Sequence, residues 1–271
     1  MSGHRLTLKA APALRVDARA LQPAALAAMS AAQVERLALP HGRDRVAVGE
    51  LFRVEALDAD GARLELAGDL SRFDRIGQAL ADGALHVHGP VGDHAGAGMS
   101  GGTLHIDGDA RDLAGCSLRG GWLEVSGSVG DLAASALPGD MDGMRGGTFV
   151  VRGHAGVRLA DRMRRGTLVV FGDCGDFLAS RLVAGTLAIG GRCGAHVGYG
   201  MRRGSLVFAG PAPTLSPTFV PVHSNADVFW QLLARDLARF GGPFDGLARR
   251  RVVRHAGDLA AQGKGELLIP A

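Results

Sequence analysis

A seven-residue unit bounded by glycines, Gly102-Thr-Leu-His-Ile-Asp-Gly108, recurs through the middle of the chain, and it constrains the fold more than any other feature. Copies begin at Gly83, Gly102, Gly121, Gly147, Gly166, Gly185 and Gly204. A degenerate copy, Ala62 to Gly68, precedes them. The usual step is 19 residues, and the one step of 26 holds a seven-residue insertion within Ala136 to Gly143. Inside each copy two apolar columns alternate with variable positions. One runs from Leu85 through Leu104, Leu123, Phe149, Leu168 and Leu187 to Leu206; the other runs from Val87 to Phe208. Period two is a strand with one buried face. A third apolar column is Met99, Leu118, Met144, Met163, Leu182 and Met201, and a fourth runs from Val91 to Cys193.

One copy is too short to enclose a core, so each must stack on its neighbour. The solution is an all-β fold, a parallel β-helix solenoid of about eight 19-residue coils, rising about 4.8 Å per coil. A doubly wound α/β fold is excluded, because its crossovers need about a dozen helical residues and the segments here are broken by glycine. The 42 glycines among 271 residues, roughly twice the usual share, are thus accounted for by the repeat. Collagen is excluded by the absence of a Gly-X-Y period, and disorder by 46% hydrophobic residues with a net charge of only +3.

The expected organisation is an N-terminal cap segment over 1–60, the β-helix over 61–210, and a C-terminal helix and tail over 211–271. In the first part, Ala24–Arg36 is a helix candidate between Pro23 and Pro40, and Arg45–Val54 alternates like a strand. In the last part, Asn225 is expected to cap a helix running to about Phe240, with Val228, Leu232, Leu233, Leu237 and Phe240 at helical spacing. The end pieces should cover open strand edges. Three cysteines are too few for a disulfide scaffold, no apolar stretch reaches 18 residues, and the N-terminus lacks a signal-peptide core. A cytoplasmic protein with free thiols is expected, with neither membrane nor nucleic acid as partner.

The columns between the buried ones carry the candidate chemistry. His86, His88, His105 and Asp107 fall on adjacent coils, with His86 over His105 and His88 over Asp107. They are read as a polar face rather than a metal centre, because no ligand set repeats. Further along, the same columns turn apolar at Val150, Val169, Ala188 and Val207, a surface that should not face water. The chain's own C-terminal helix is the expected cover. Arg119, Arg145, Arg164 and Arg202 form a ladder just after the Met/Leu column, extended sideways by Arg165 and Arg203. Stacked guanidinium groups repel unless anions lie between them, so this ladder is the candidate docking site for an acidic partner surface or an anionic carrier. Asp93, Asp112, Asp131 and Asp176 form a further column, expected to make local turn bonds. Gly96-Ala-Gly-Met-Ser-Gly101 fits GxGxxG but has no helix after it, and neither GxSxG nor HExxH is present. No catalytic residue is expected.

The glycine-marked coils, Val48-Gly-Glu-Leu-Phe-Arg-Val54 ahead of them and the tail Ala256-Gly-Asp-Leu-Ala-Ala-Gln-Gly-Lys-Gly-Glu-Leu-Leu268 resemble the β-helical subunit of formylmethanofuran dehydrogenase and that of its bacterial relative, the formyltransferase/hydrolase complex. The coils alone also look like the C-terminal domain of the glutamate synthase large subunit. Only Lys9 and Lys264 among the 30 basic residues are lysines, a bias that favours the bacterial complex. The resemblance implies a right-handed solenoid that serves as a non-catalytic structural subunit. It implies an amidohydrolase subunit, a formyltransferase subunit and a further subunit as partners. The complex would use tetrahydromethanopterin, a methanofuran-type carrier with a glutamate-rich tail, and a metal ion in the hydrolase subunit. No cofactor is implied on this chain, beyond the carrier tail that the arginine ladder would receive.

Overall fold

In the computed structural model, residues 3–222 and 227–270 are described. Asn225, the expected helix cap, lies outside them. The repeat forms one long parallel ladder: Arg63–Ala67, Ala84–His88, Thr103–Ile106, Trp122–Val125, Arg145–Val151, Arg165–Val170, Thr186–Ile189 and Arg203–Phe208 pair in sequence order. Residues 19 apart are register partners, as with Leu85 and Leu104 or Leu187 and Leu206. Across the insertion Leu123 still pairs with Phe149, so the seven extra residues leave the register intact. Every residue of the leucine column from Leu64 to Leu206 is at most 1% exposed. Each such burial contributes about 1.5–3 kcal/mol.

Two further edges close each coil. Single parallel bridges join Leu70, Val91, Ala110, Val129, Ala155, Cys174 and Cys193 in a second stack. On the third edge backbone N–H groups donate one coil back, from Arg119 to Met99, from Arg164 to Met144 and from Arg202 to Leu182. The Met/Leu column beneath is fully buried. The aspartates do not make local turn bonds. Asp112 Oδ1 accepts from the N–H of Asp131 at 2.9 Å, and Asp176 Oδ1 from that of Ala195 at 2.7 Å. Each carboxylate therefore satisfies a backbone donor on the next coil, which a turn residue exposed at a corner would otherwise leave to water.

Both ends of the ladder are continued by distant segments. Gly3–Leu8 runs parallel to Arg63–Ala67 and antiparallel to Phe52–Leu57. Lys264–Pro270 runs parallel to Arg203–Phe208 and antiparallel to Val252–Gly257, beyond which lies Val220–Val222. Arg5 and Arg63 both pair with Glu65, tying the first strand to the second across a carboxylate only 7% exposed.

The N-terminal expectations need two corrections. Ala24–Arg36 is two short helices, Pro23–Ala27 and Ala31–Glu35, because Ser30 and Gln33 form a reciprocal capping box that starts a new helix. Arg45–Val54 is not one strand. A helical turn at Val48–Leu51, with Val48 and Leu51 buried, separates Asp44–Ala47 from Phe52–Leu57.

The apolar outward columns are covered by the chain itself. The helix Asp227–Ala238 and the segment after it pack Trp230, Ala234, Leu237, Phe240, Phe244 and Leu247 over Val150, Val169, Ala188 and Val207, all buried. The face that packs differs from the expected one. The inward stripe is Trp230, Ala234 and Leu237, while Val228 is 75% and Leu232 62% exposed. Nearly every residue at the start of this helix is apolar, so spacing alone does not single out a face. The Trp230 indole decides it, donating to the Arg250 carbonyl at 2.9 Å. No helix among the described residues is long and apolar enough to cross a membrane.

Candidate docking face and histidine cluster

Arg119, Arg145, Arg164 and Arg202 lie on one edge, since the backbone of each is bonded to the coil before it. Their environments differ. Arg119, Arg164 and Arg202 are exposed, whereas Arg145 is half-buried and its Nε is without a hydrogen-bond partner. The seven-residue insertion reaches over this edge and places Asp142 Oδ2 3.0 Å from Arg164 Nη1 and 3.8 Å from Arg145 Nε. One carboxylate thus offsets two of the four guanidinium groups. Sequence spacing does not show this, because the insertion has no counterpart in other coils.

Beyond Asp142 the charge is not offset in this way. Arg164, Arg165, Arg202 and Arg203 line a cleft of about 280 Å³ over Val183 and Ala184, with no carboxylate in its wall. Lys264, the strand partner of Arg203, adds a cation that sequence spacing does not place here. Val183 occupies the ladder position between Arg164 and Arg202, so the row is interrupted by an apolar floor. The arrangement can hold an extended anion with several carboxylates better than a compact one, because its cations are spread over several coils.

The second polar cluster sits where the C-terminal cover ends. The cover stops at Trp122, whose ring stacks on Phe240 at 6.1 Å. Past that edge the outward residues are His86, His88, His105, Asp107 and Glu124, and the change from apolar to polar follows the limit of the cover. His86 and His105 are register partners, as the repeat implies. His86 Nε2 lies 2.9 Å from Asp107 Oδ1, and His88 Nδ1 lies 2.7 Å from Oδ2. Partial burial opposes ionisation of Asp107, but the hydrogen bonds from His86 and His88 hold its carboxyl below the usual aspartate range. His105 Nε2 is 3.5 Å from the same Oδ1.

The cysteines carry no nucleophile. Cys174 and Cys193 are bridge partners on adjacent coils, and all three thiols are free. Burial pushes the Cys116 and Cys193 thiols up to about 12 and Cys174 well above its ordinary value, so none is a thiolate near neutrality. GxGxxG at Gly96–Gly101 is a corner of the coil, followed by Thr103–Ile106 as strand rather than by a helix.

Such a stack of glycine-cornered coils is a family trait. Residues 65–216, more than half of the chain, match the GXGXG motif family, and the protein belongs to it. Within that family its homologue is the FhcC subunit of the formyltransferase/hydrolase complex. The chain is similar to one in the crystal structure of the FhcABCD complex from Methylorubrum extorquens with methylofuran, at a TM-score of 0.89 and 38% identity, covering 98% of this chain and 99% of that one. It is also 41% identical over 78 residues to the FhcC subunit of the same organism, an alignment that spans 29% of that relative's length.

Proposed function

We propose that the chain is a non-catalytic structural subunit of a formyltransferase/hydrolase complex in one-carbon metabolism. The complex would move a formyl group from formyl-tetrahydromethanopterin to a methanofuran-type carrier and hydrolyse it to formate. An amidohydrolase subunit, a formyltransferase subunit and a further subunit would be the partners. The observation that carries this reading is likeness along the whole chain to a member of such an assembly, at 38% identity. We also read the ladder as eight coils of a right-handed solenoid over 61–210, with 1–60 and 211–271 as end pieces.

Three features of the chain support a scaffold. Its thiols are buried and protonated. Val228, Phe229 and Leu232 form an exposed apolar patch on the C-terminal helix, the kind of surface that a partner covers. The cleft of Arg164, Arg165, Arg202 and Arg203 suits an acidic partner surface or a glutamate-rich carrier tail. Holding a carrier between two active sites raises its effective concentration at both. A glutamate-synthase-like scaffold, or the β-helical subunit of a formylmethanofuran dehydrogenase proper, shares the coil pattern. The full-length likeness ranks both below the bacterial complex.

The arginine face is tested by replacing Arg145, Arg164 and Arg202 together with glutamine. The expected result is weaker recovery of partner subunits or of bound carrier, and less formate released, from a chain that melts as the wild type does. Unchanged assembly and turnover would remove the arginine ladder from the account.

A further inference from the structure

We propose that His86, His105 and Asp107 form a binding site for a divalent transition metal, with zinc as the best fit. One ligand atom from each of the three lies within 4.8 Å of the other two. Two imidazole nitrogens approach the same carboxylate oxygen: His86 Nε2 at 2.9 Å and His105 Nε2 at 3.5 Å from Asp107 Oδ1. Donor atoms around a tetrahedral zinc are about 3.3 Å apart, given metal–ligand bonds near 2.0–2.1 Å. Small rotations of the side chains would therefore bring all three into a first coordination sphere. Two imidazoles and a carboxylate are a borderline donor set, suited to zinc, cobalt or nickel and unsuited to calcium or magnesium.

The surrounding groups are placed as a metal site requires. A ligating histidine is usually oriented by a carboxylate on its other nitrogen. His105 Nδ1 faces Glu124 Oε2 at 3.8 Å, and Glu124 is itself held by Arg152 Nε at 2.8 Å and the Trp122 indole at 3.2 Å. His88 binds the second oxygen of Asp107 at 2.7 Å, leaving Oδ1 turned toward His86 and His105. His86 and His105 stand on adjacent strands of a hydrogen-bonded ladder, so their spacing is set by the sheet rather than by a loop. The cluster is half-exposed, which leaves room for water or an incoming group at the remaining positions. Its ligand set does not repeat along the coils, which is why spacing alone does not reveal it.

The test uses the full-length chain with any histidine tag removed, titrated calorimetrically with zinc chloride, and separately with cobalt while visible absorption is recorded. It does not depend on membership of a complex. One zinc per chain is expected, and the cobalt adduct should show the absorption of a four- or five-coordinate ion with nitrogen and oxygen ligands. H86A and H105A should each weaken binding severely. Glu124→Gln should cost about 10- to 100-fold in affinity, as loss of an orienting carboxylate does. His94→Asn, outside the cluster, should change nothing. Absence of saturable zinc binding would overturn the proposal, as would binding that persists when His86 and His105 are both replaced.

Discussion

Gly89→Ala is expected to destabilise the chain by about 3–5 kcal/mol, the range reserved for a strained backbone combined with a steric clash. Gly89 ends the strand Ala84–His88 with φ +144, a conformation that L side chains rarely adopt. A Cβ at this place would also run into the carbonyl oxygen of Gly68, one coil earlier. Neither fault can relax alone, because Gly68 N–H already donates to the His88 carbonyl at 3.1 Å. Gly98→Ala is the control. Its φ is +67, nothing lies within 4 Å of its missing Cβ, and Ala79 holds the equivalent place one coil earlier at φ 57. That replacement should cost only about 1 kcal/mol, the usual penalty for an L residue in the left-handed region. Chemical denaturation of both variants checks the contrast. Equal losses would mean that the glycine column serves conformation alone and not the close stacking of coils.

Phe149→Ala should cost about 3–5 kcal/mol, as removal of a buried aromatic ring does when the surroundings cannot collapse. Phe149 is fully buried and is the only aromatic residue in a column of leucines. Its ring occupies room left by Gly115, where an added Cβ would lie 2.7 Å from Phe149 Cε1. Ala134 fills the corresponding corner of the next coil with the same left-handed backbone, so alanine is compatible with that conformation. Gly115→Ala should therefore be harmful beside Phe149 and much better tolerated beside Leu in a Phe149→Leu background. Thermal melts of the two single variants and the double variant give the coupling directly. Additive losses would show that ring and glycine do not share one space.

The repeat made the central architecture legible, because a 19-residue step leaves one way to align the columns. Leu85 over Leu104, His86 over His105 and Cys174 over Cys193 are all register partners. It also placed the apolar surface under Val150, Val169 and Ala188 and pointed to the chain's own helix as the cover. What it could not convey depends on groups far apart or on local chemistry without a period. Gly3–Leu8 joins the ladder through pairing with residues some sixty positions away. The capping box at Ser30 overrides an otherwise helical run. Trp230 sets the helix face through a bond to Arg250, which apolar spacing does not encode.

The candidate site divides in the same way. The four arginines were visible as a column, yet Asp142, which partly neutralises Arg145 and Arg164, sits in the one irregular insertion. The concentration of unopposed charge at Arg165, Arg203 and Lys264 follows from the last strand docking beside Arg203–Phe208. His86, His105 and Asp107 were visible as neighbours. Their convergence on a single carboxylate oxygen is a matter of rotamers and is seen only in three dimensions.

The most direct measurement is affinity purification of this chain from its native cell, with mass spectrometry of co-eluting proteins and a formate-release assay on the eluate. The account predicts recovery of an amidohydrolase and a formyltransferase together with formate production. A chain that elutes alone, or with the components of a glutamate synthase and without formate release, would contradict it.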